Sequence, residues 1–367
     1  TTLTAPTFTR ATASTRVNPV TGLVETVASG VPVVGSPLSS GDDGTIDGTE
    51  PTGVYVGSAT TFTALRNEDM TNGWTATNVT VTANNASTDP AGTAVSDDVN
   101  DTDAVNAGNL NRTVTCTAAS ACTATMWYRT GLNGAPTPVL DLDGTQTTCG
   151  AATSTWQRCV VTDASASGGT PTLAIYPAGI TGSDQGSILV WRPQAYAKAF
   201  AVPLDPAVTS SAVTLNLDQA TYAQAHPGNQ GTICAWVNAA DANAFQQIVT
   251  WDSTHDWALQ LDGSYRVRLL SVSLANNMEV VGTNAATANG WNFVCGTWDQ
   301  PNSSARVYLG GVEEVKTTND QAWTADGTYG SSLRLGDYPS SSTPLNGFVS
   351  DVRVFNVVLS PQQIRSL

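Results

Sequence analysis

Apolar and polar residues alternate along most of this chain, in short runs. Between residues 54 and 200 the runs "NVTVTA", "RTVTCTA", "CTATMWYRT", "TPVLDLD", "RCVVTDA", "PTLAIYP" and "GSILVWRPQ" set apolar side chains largely on one face of an extended backbone, the period of a half-buried strand. Turn signals ("PAGT", "LNGAP", "LDGT", "SGGTP") divide them with the rhythm of an antiparallel β-sandwich. Residues 201–367 repeat the pattern in "AVTLNL", "GTICAWVNA", "QQIVTW", "WALQLDG", "YRVRLLSV", "MEVVGT", "WNFVCGTWD", "SARVYLGG", "SSLRLGD" and "GFVSDVRVFN". Only "LSPQQIRSL" at the end predicts a helix, with Ser360 as N-cap, Pro361 at the first helical position and Gln363 two residues on. Residues 1–53 are different. "TFTRATASTRVNPVTGLVETV" reads as two extended pieces around the turn "NPVTG", and "GSPLSSGDDGTIDGTEPTG" is linker by composition. The pattern predicts an all-β chain: two antiparallel β-sandwich domains in tandem, residues 54–200 and 201–367, behind an extended N-terminal arm, residues 1–53.

The arm is too polar to bury much surface alone, so it is expected to pack on the next domain or on a partner chain. The run "WNFVCGTWDQ" raises a further question, because Cys295 interrupts the apolar bulk of Trp291, Phe293, Val294 and Trp298. A lone Cys there packs as a small hydrophobe, whereas a paired one ties two strands together.

Composition sharpens the picture. At 367 residues the chain has room for two or three cores, and its 12% charged residues are about half the usual share. A formal net charge of −15 argues against nucleic acid as partner. There is no apolar span long enough for a transmembrane helix, so membrane insertion is not expected. No signal peptide is visible in the sequence, and because it starts at Thr1 the removal of a leader or an initiator Met stays open. The six cysteines are Cys116, Cys122, Cys149, Cys159, Cys234 and Cys295. No Cys-x2-Cys spacing occurs and the only histidines are His226 and His255, which disfavours zinc. Cys116/Cys122 and Cys149/Cys159 flank turn-like segments where a short disulfide loop closes easily; free structural thiols are the alternative. Disulfides would imply an oxidising location outside the cell.

A search for catalytic groups finds little. No G-x-S-x-G occurs, neither histidine neighbours an evident nucleophile, and the chain has only six Glu for a glycosidase pair. Asp97/Asp98 and Glu313/Glu314 read as solvated surface. Trp74, Trp127, Trp156 and Trp191 could be sugar platforms, but at alternating strand positions they read as core.

The third region resembles the concanavalin A-like jelly roll of laminin-G-like and pentraxin domains. "GTICAWV" and "WNFVCGTWD" are similar to two of the family's core strands, "ARVYLGGVEE" stands where it writes "Y-x-N-G", and "LNGFVSDVRVFNVVLSPQQI" resembles its closing motif. Pentraxins join the first two strands by a disulfide, so the resemblance implies Cys234–Cys295. It also locates a ligand site. Where pentraxins form a calcium centre, this chain keeps only Asp256 in "STHDWALQLDG" and Asp337 in "LRLGDYPSSSTPLNGF". Calcium takes six to eight oxygens, so weak calcium or no cofactor is expected. The same loops gather Trp251, Asp252, His255, Asp256, Trp257, Asp337 and Tyr338, an aromatic face beside carboxylates suited to glycan. The alternative is that Trp251 and Trp257 fill the core.

The first two regions resemble modules of tailed-bacteriophage structural proteins, through "FTRAT…NPVTGLVET", Arg66 to Asp69, Trp74, Pro90 and Gly92, followed by a sandwich similar to carbohydrate-binding modules. The aliphatic-rich bridge of that pattern is replaced here by a Gly/Asp/Ser stretch. The resemblance implies a non-enzymatic protein of the virion surface: a tail fibre, tail appendage or capsid decoration. It would contact host-surface glycans or reinforce the particle, as a homo-oligomer held to other virion proteins through the arm. A secreted bacterial lectin or adhesin is the alternative, and a glycan-active enzyme a distant third.

Overall fold

The structure is a computed structural model. Within residues 1–59 it describes the backbone of five strands: Thr7–Thr9, Ser14–Val17, Val24–Val27, Val34–Gly35 and Gly53–Val56. Beyond them it describes residues 60–84, 88–199, 201, 207–208, 211–215, 219–222, 226–239, 245–252, 257–271, 278–288, 290–314, 330–336 and 345–367. Of Val213–Leu215, Gln219 and Asp252 the backbone alone is described.

The fold is all-β. The middle region pairs two five-stranded antiparallel sheets. One runs Thr145–Thr148, Val139–Leu142, Thr172–Tyr176, Asn109–Thr113, Thr75–Thr77 in spatial order. The other runs Gln157–Asp163, Cys122–Thr130, Gly186–Tyr196, Asp97–Asp101, Val79–Thr82. Alternate residues (Leu110, Leu140, Leu142, Leu173 and Ile175 from the first; Val99, Ala124, Met126, Ile188 and Val190 from the second) meet in one core, as the period of two requires. Cys149–Cys159 ties the end of a strand in one sheet to a strand of the other, and Cys116–Cys122 closes the short loop entering the strand Cys122–Thr130.

The C-terminal region pairs two seven-stranded sheets. The first has the order Thr7–Thr9, Gln219–Tyr222, Ser332–Leu335, Gln246–Asp252, Trp257–Leu261, Arg266–Ser271, Met278–Ala285. The second has Val312–Glu313, Ser304–Leu309, Trp291–Asp299, Gln230–Ala239, Gly347–Phe355, Gly53–Val56, Val34–Gly35. Both sheets therefore contain strands from the N-terminal arm. Thr7–Thr9 pairs with Gln219–Tyr222 at the edge of one. Gly53–Val56 pairs with Gly347–Phe355 in the other and is itself covered by Val34–Gly35. Edge strands expose unpaired amides and carbonyls, and here the same chain supplies the pairing.

This revises the domain limits read from sequence. Residues 53–56 belong to the C-terminal sandwich, and the middle sandwich is inserted between that strand and the start of the C-terminal sequence. The described arm strands pair within their own chain, where the composition had equally suggested a partner. The hairpin around "NPVTG" is present as Ser14–Val17 against Val24–Val27. A short pair, Thr60–Phe62 with Val213–Leu215, marks where the chain enters and leaves the middle domain. There Asn67 clamps Val208 through two hydrogen bonds, Asn67 N–H to Val208 O at 3.1 Å and Val208 N–H to Asn67 Oδ1 at 2.7 Å.

The register answers the question raised by Cys295. Strands Gln230–Ala239 and Trp291–Asp299 are direct neighbours, with Cys234 opposite Cys295 and a disulfide between them. Val294 and Trp298 point into the sandwich core, whereas Cys234, Phe293 and Cys295 pack on the outer face against Leu359 and Ile364. Both faces of the strand are buried, which explains its near-continuous apolar sequence. The cover is the helix Pro361–Arg365, started by a capping box in which Ser360 Oγ accepts from Gln363 N–H and the Gln363 side chain accepts from Ser360 N–H.

Candidate functional site

Of the loop cluster expected from the sequence, only Trp251, Trp257 and the backbone of Asp252 fall within the described residues. Asp252 ends the strand Gln246–Asp252 opposite Ser332, while Leu335 lies opposite Val249 and Gly336 N–H donates to Ile248 O at 3.0 Å. The Asp252 side chain, and His255, Asp256, Asp337 and Tyr338 entirely, lie outside the described residues, and so does the expected weak calcium position at Asp256 and Asp337. Among the described residues no group of three or more His, Cys, Asp or Glu could hold a metal ion.

Trp251 and Trp257 are 1% and 4% exposed and belong to the sandwich core. The core alternative holds for both, and neither offers a face to a sugar. The physical reason is the pleat: their strands are antiparallel neighbours with Trp251 opposite Trp257, and both rings turn to the inner face. With Trp298 they enclose His226, at ring-centroid distances of 4.8, 4.5 and 5.1 Å. The backbone fixes His226 by its N–H to Gly330 O at 3.0 Å, and Nδ1 accepts from Gly228 N–H at 3.0 Å. Trp298 Nε1–H donates to Gly228 O at 2.9 Å. A Cβ on Gly231 would lie 2.3 Å from the Trp298 ring, so glycine is required there. Burial among indoles disfavours the imidazolium and pushes the His226 pKa down to about 3. The group is neutral and structural at ordinary pH.

In the middle domain Trp74, Trp127 and Trp191 are buried, as the alternation suggested. Trp156 is half-buried, its indole N–H on Thr88 O at 2.9 Å and the Arg129 guanidinium 5.3 Å from its ring. The reading of Asp97 and Asp98 as solvated surface is corrected: both are buried in the strand Asp97–Asp101. Asp97 accepts from Met70 N–H at 2.6 Å and Asn84 N–H at 2.8 Å, fixing two loops. Asp98 is held by the Ser187 hydroxyl and the Leu132 amide. Burial raises the pKa of both carboxyls. Glu314 is also buried, against the surface reading, and accepts from Thr283 and Asn284 N–H. Backbone amides engage all three, which is loop-holding chemistry.

Sequence reasoning passed over the outer face of the first C-terminal sheet. Gln247 lies opposite Gln260, and Gln260 opposite Arg268. Arg268 Nε donates to Glu279 Oε1 at 2.7 Å, and its guanidinium lies 4.7 Å from the ring of Phe245. The signal was present as the polar half of the alternation in "QQIVTW", "WALQLDG" and "YRVRLLSV".

Residues 207–365 match the family model described as the Concanavalin A-like lectin/glucanases superfamily, Laminin_G_3. No curated protein matches the chain. Similar solved structures include the native heptameric SAP-like pentraxin from Limulus polyphemus, with 16% identity, a TM-score of 0.33, and coverage of 40% of this chain and 73% of that one. The CBM40 of the Ruminococcus gnavus IT-sialidase, bound to α2,3-sialyllactose, shows 16% identity, a TM-score of 0.33, and coverage of 38% and 82%. Domain 4 of AbnA, a GH43 extracellular arabinanase from Geobacillus stearothermophilus, in complex with arabinotriose, shows 19%, 0.32, 42% and 76%. Over residues 207–365 the C-terminal sandwich is thus similar to laminin-G-like, concanavalin A-like domains. The three disulfides indicate a chain that folds in an oxidising, extracytosolic environment, and no helix among the described residues is long and apolar enough to cross a membrane.

Proposed function

We propose that this chain is a non-enzymatic carbohydrate-binding protein of a bacteriophage virion surface, its C-terminal sandwich being the glycan-binding module. The observation that carries the carbohydrate reading is the match of residues 207–365 to the lectin/glucanase family on a complete two-sheet sandwich. The buried carboxylates found are engaged by backbone amides rather than paired across a cleft, which supports binding over hydrolysis. The virion assignment rests on the order of modules, arm, inserted sandwich and laminin-G-like sandwich, and on its resemblance to tail and appendage proteins. A rigid β body with disulfides suits exposure on a particle. Two measurements test the reading. Mass spectrometry of purified particles is expected to recover the chain; recovery only from a culture supernatant would replace the virion role with that of a secreted lectin. A printed oligosaccharide array probed with the labelled full chain is expected to give saturable binding, and a blank array overturns the carbohydrate reading.

A further inference from the structure

We propose that Asn133 is a self-modification site, where the exposed Asn133–Gly134 loop of the middle sandwich turns its asparagine into aspartate and isoaspartate faster than the other described Asn–Gly pairs react. The inference is independent of the carbohydrate reading. The chemistry needs only water as co-reactant. The Gly134 main-chain nitrogen attacks Asn133 Cγ, so a C–N bond forms and the Cγ–Nδ2 bond breaks. Nδ2 leaves as ammonia, taking the Gly134 amide proton with it. Water then opens the cyclic imide. Cleavage at Cγ gives aspartate, and cleavage at the main-chain carbonyl carbon gives isoaspartate. Either way one neutral amide becomes one carboxylate.

An intramolecular attack depends on how easily the two atoms approach, so the least restrained pair reacts first. Asn–Gly occurs at Asn72, Asn133, Asn289 and Asn346, and Asn289 lies outside the described residues. Asn133 and Gly134 are both exposed. Among the described residues neither the Asn133 side-chain amide nor the Gly134 N–H has a hydrogen-bond partner. Gly134 has φ +76°, and no atom lies within 4 Å of the place a Cβ would take. The chain is held just before the reacting atoms, since Asn133 N–H donates to Ser187 Oγ and Ser187 N–H donates to Asn133 O, both at 2.9 Å. The other two pairs are restrained. Gly73 O accepts from Arg112 Nη1 at 2.8 Å, and Asn72 N–H donates to Asp69 O at 3.3 Å. Gly347 is buried in its strand, opposite Ala239 on one side and Val56 on the other, and packs against Asn238 O. In isoaspartate the main chain runs through the former side chain, so the carbonyl that accepts from Ser187 N–H becomes a free carboxylate. Ser187, with Leu132, also holds the buried Asp98.

The experiment incubates the full chain in mildly alkaline buffer and follows each Asn–Gly peptide by mass spectrometry, with an isoaspartate-specific methyl-acceptor assay alongside. Conversion at Asn133 is expected to run about tenfold or more faster than at Asn72 or Asn346, the factor imposed when one further hydrogen bond must open first. Asn133→Gln, whose attack would need a larger ring, is expected to remove the fast phase of isoaspartate formation. In urea, with local structure gone, the three sites are expected to react alike. Equal rates in the folded chain, a faster site at Asn72 or Asn346, or a fast phase that survives Asn133→Gln would overturn the proposal. The same preference for Asn133 in the unfolded chain would also overturn it, because local sequence and not the loop's geometry would then set the rate.

Discussion

Acidification should weaken the C-terminal sandwich through one residue, His226. Its imidazole lies among Trp251, Trp257 and Trp298, and its pKa in the fold is about 3; released in the unfolded chain it returns to about 6.5. The folded value is the lower one, so the unfolded state binds the proton first. Stability is then full above pH 6.5 and falls as pH drops toward 3. Each pH unit in that window corresponds to about 1.4 kcal/mol, which gives roughly 2 kcal/mol lost at pH 5 and about 3 kcal/mol at pH 4. Urea unfolding followed by tryptophan fluorescence reads this directly. His226→Gln keeps an acceptor for Gly228 N–H and does not titrate. Between pH 7 and pH 5 wild type should lose about 2 kcal/mol more than the variant, the carboxylates being common to both. The chain has only two histidines, so an NMR titration has two imidazoles to follow. An imidazole pKa above 6 for His226, or parallel pH profiles for wild type and variant, would refute the reasoning.

Replacing Cys234 and Cys295 together by Ala should cost the C-terminal domain about 4 kcal/mol in the loop-entropy estimate for a separation of 61 residues, read as a lower urea midpoint with a steeper slope, because the unfolded chain without the cross-link exposes more surface. In the middle domain the Asp98 pKa is raised by burial, so its contribution is more favourable below the ordinary carboxylate range and is lost as pH rises through the folded value. Asp98→Asn should therefore remove part of the stability that this domain gains on acidification from pH 7, measured as a flatter pH profile of unfolding. Deleting residues 1–56 bares the edges at Gln219–Tyr222 and Gly347–Phe355 and should lower the melting temperature of the C-terminal sandwich and promote aggregation. A deletion chain as stable and monodisperse as the whole would show that the arm strands are dispensable.

Much of the fold could be read along the chain, because a period of two fixes which face of a strand is buried without reference to its neighbours. Leu140 and Leu142, or Leu259 and Leu261, identify their own inner face. The two short disulfides followed from local spacing, and Cys234–Cys295 only from family resemblance, since cross-strand adjacency over such a separation has no local signature. What escaped was set by tertiary topology. Three residues at Thr7–Thr9 carry too little pattern to reveal that they complete the edge of a sheet built from residues two hundred positions away. Asp97 and Asp98 look like surface until the loops carrying Met70, Asn84 and Leu132 are folded over them. The expected ligand cluster failed at its tryptophans, because whether an aromatic at a strand end faces core or solvent depends on pleat phase. Gln247 and Gln260 were visible as polar positions, but their missing partners appear only when the strands are paired.

The backbone amide resonances of residues 207–365 offer the most direct test of the central claim, that this sandwich binds carbohydrate. In a ¹⁵N-correlated spectrum of the full chain titrated with the strongest oligosaccharide from the array, the account predicts saturable shifts in one contiguous patch of that sandwich. Resonances of the buried His226 cluster should stay in place. Shifts confined to other regions of the molecule, or no shifts at saturating sugar, would contradict it.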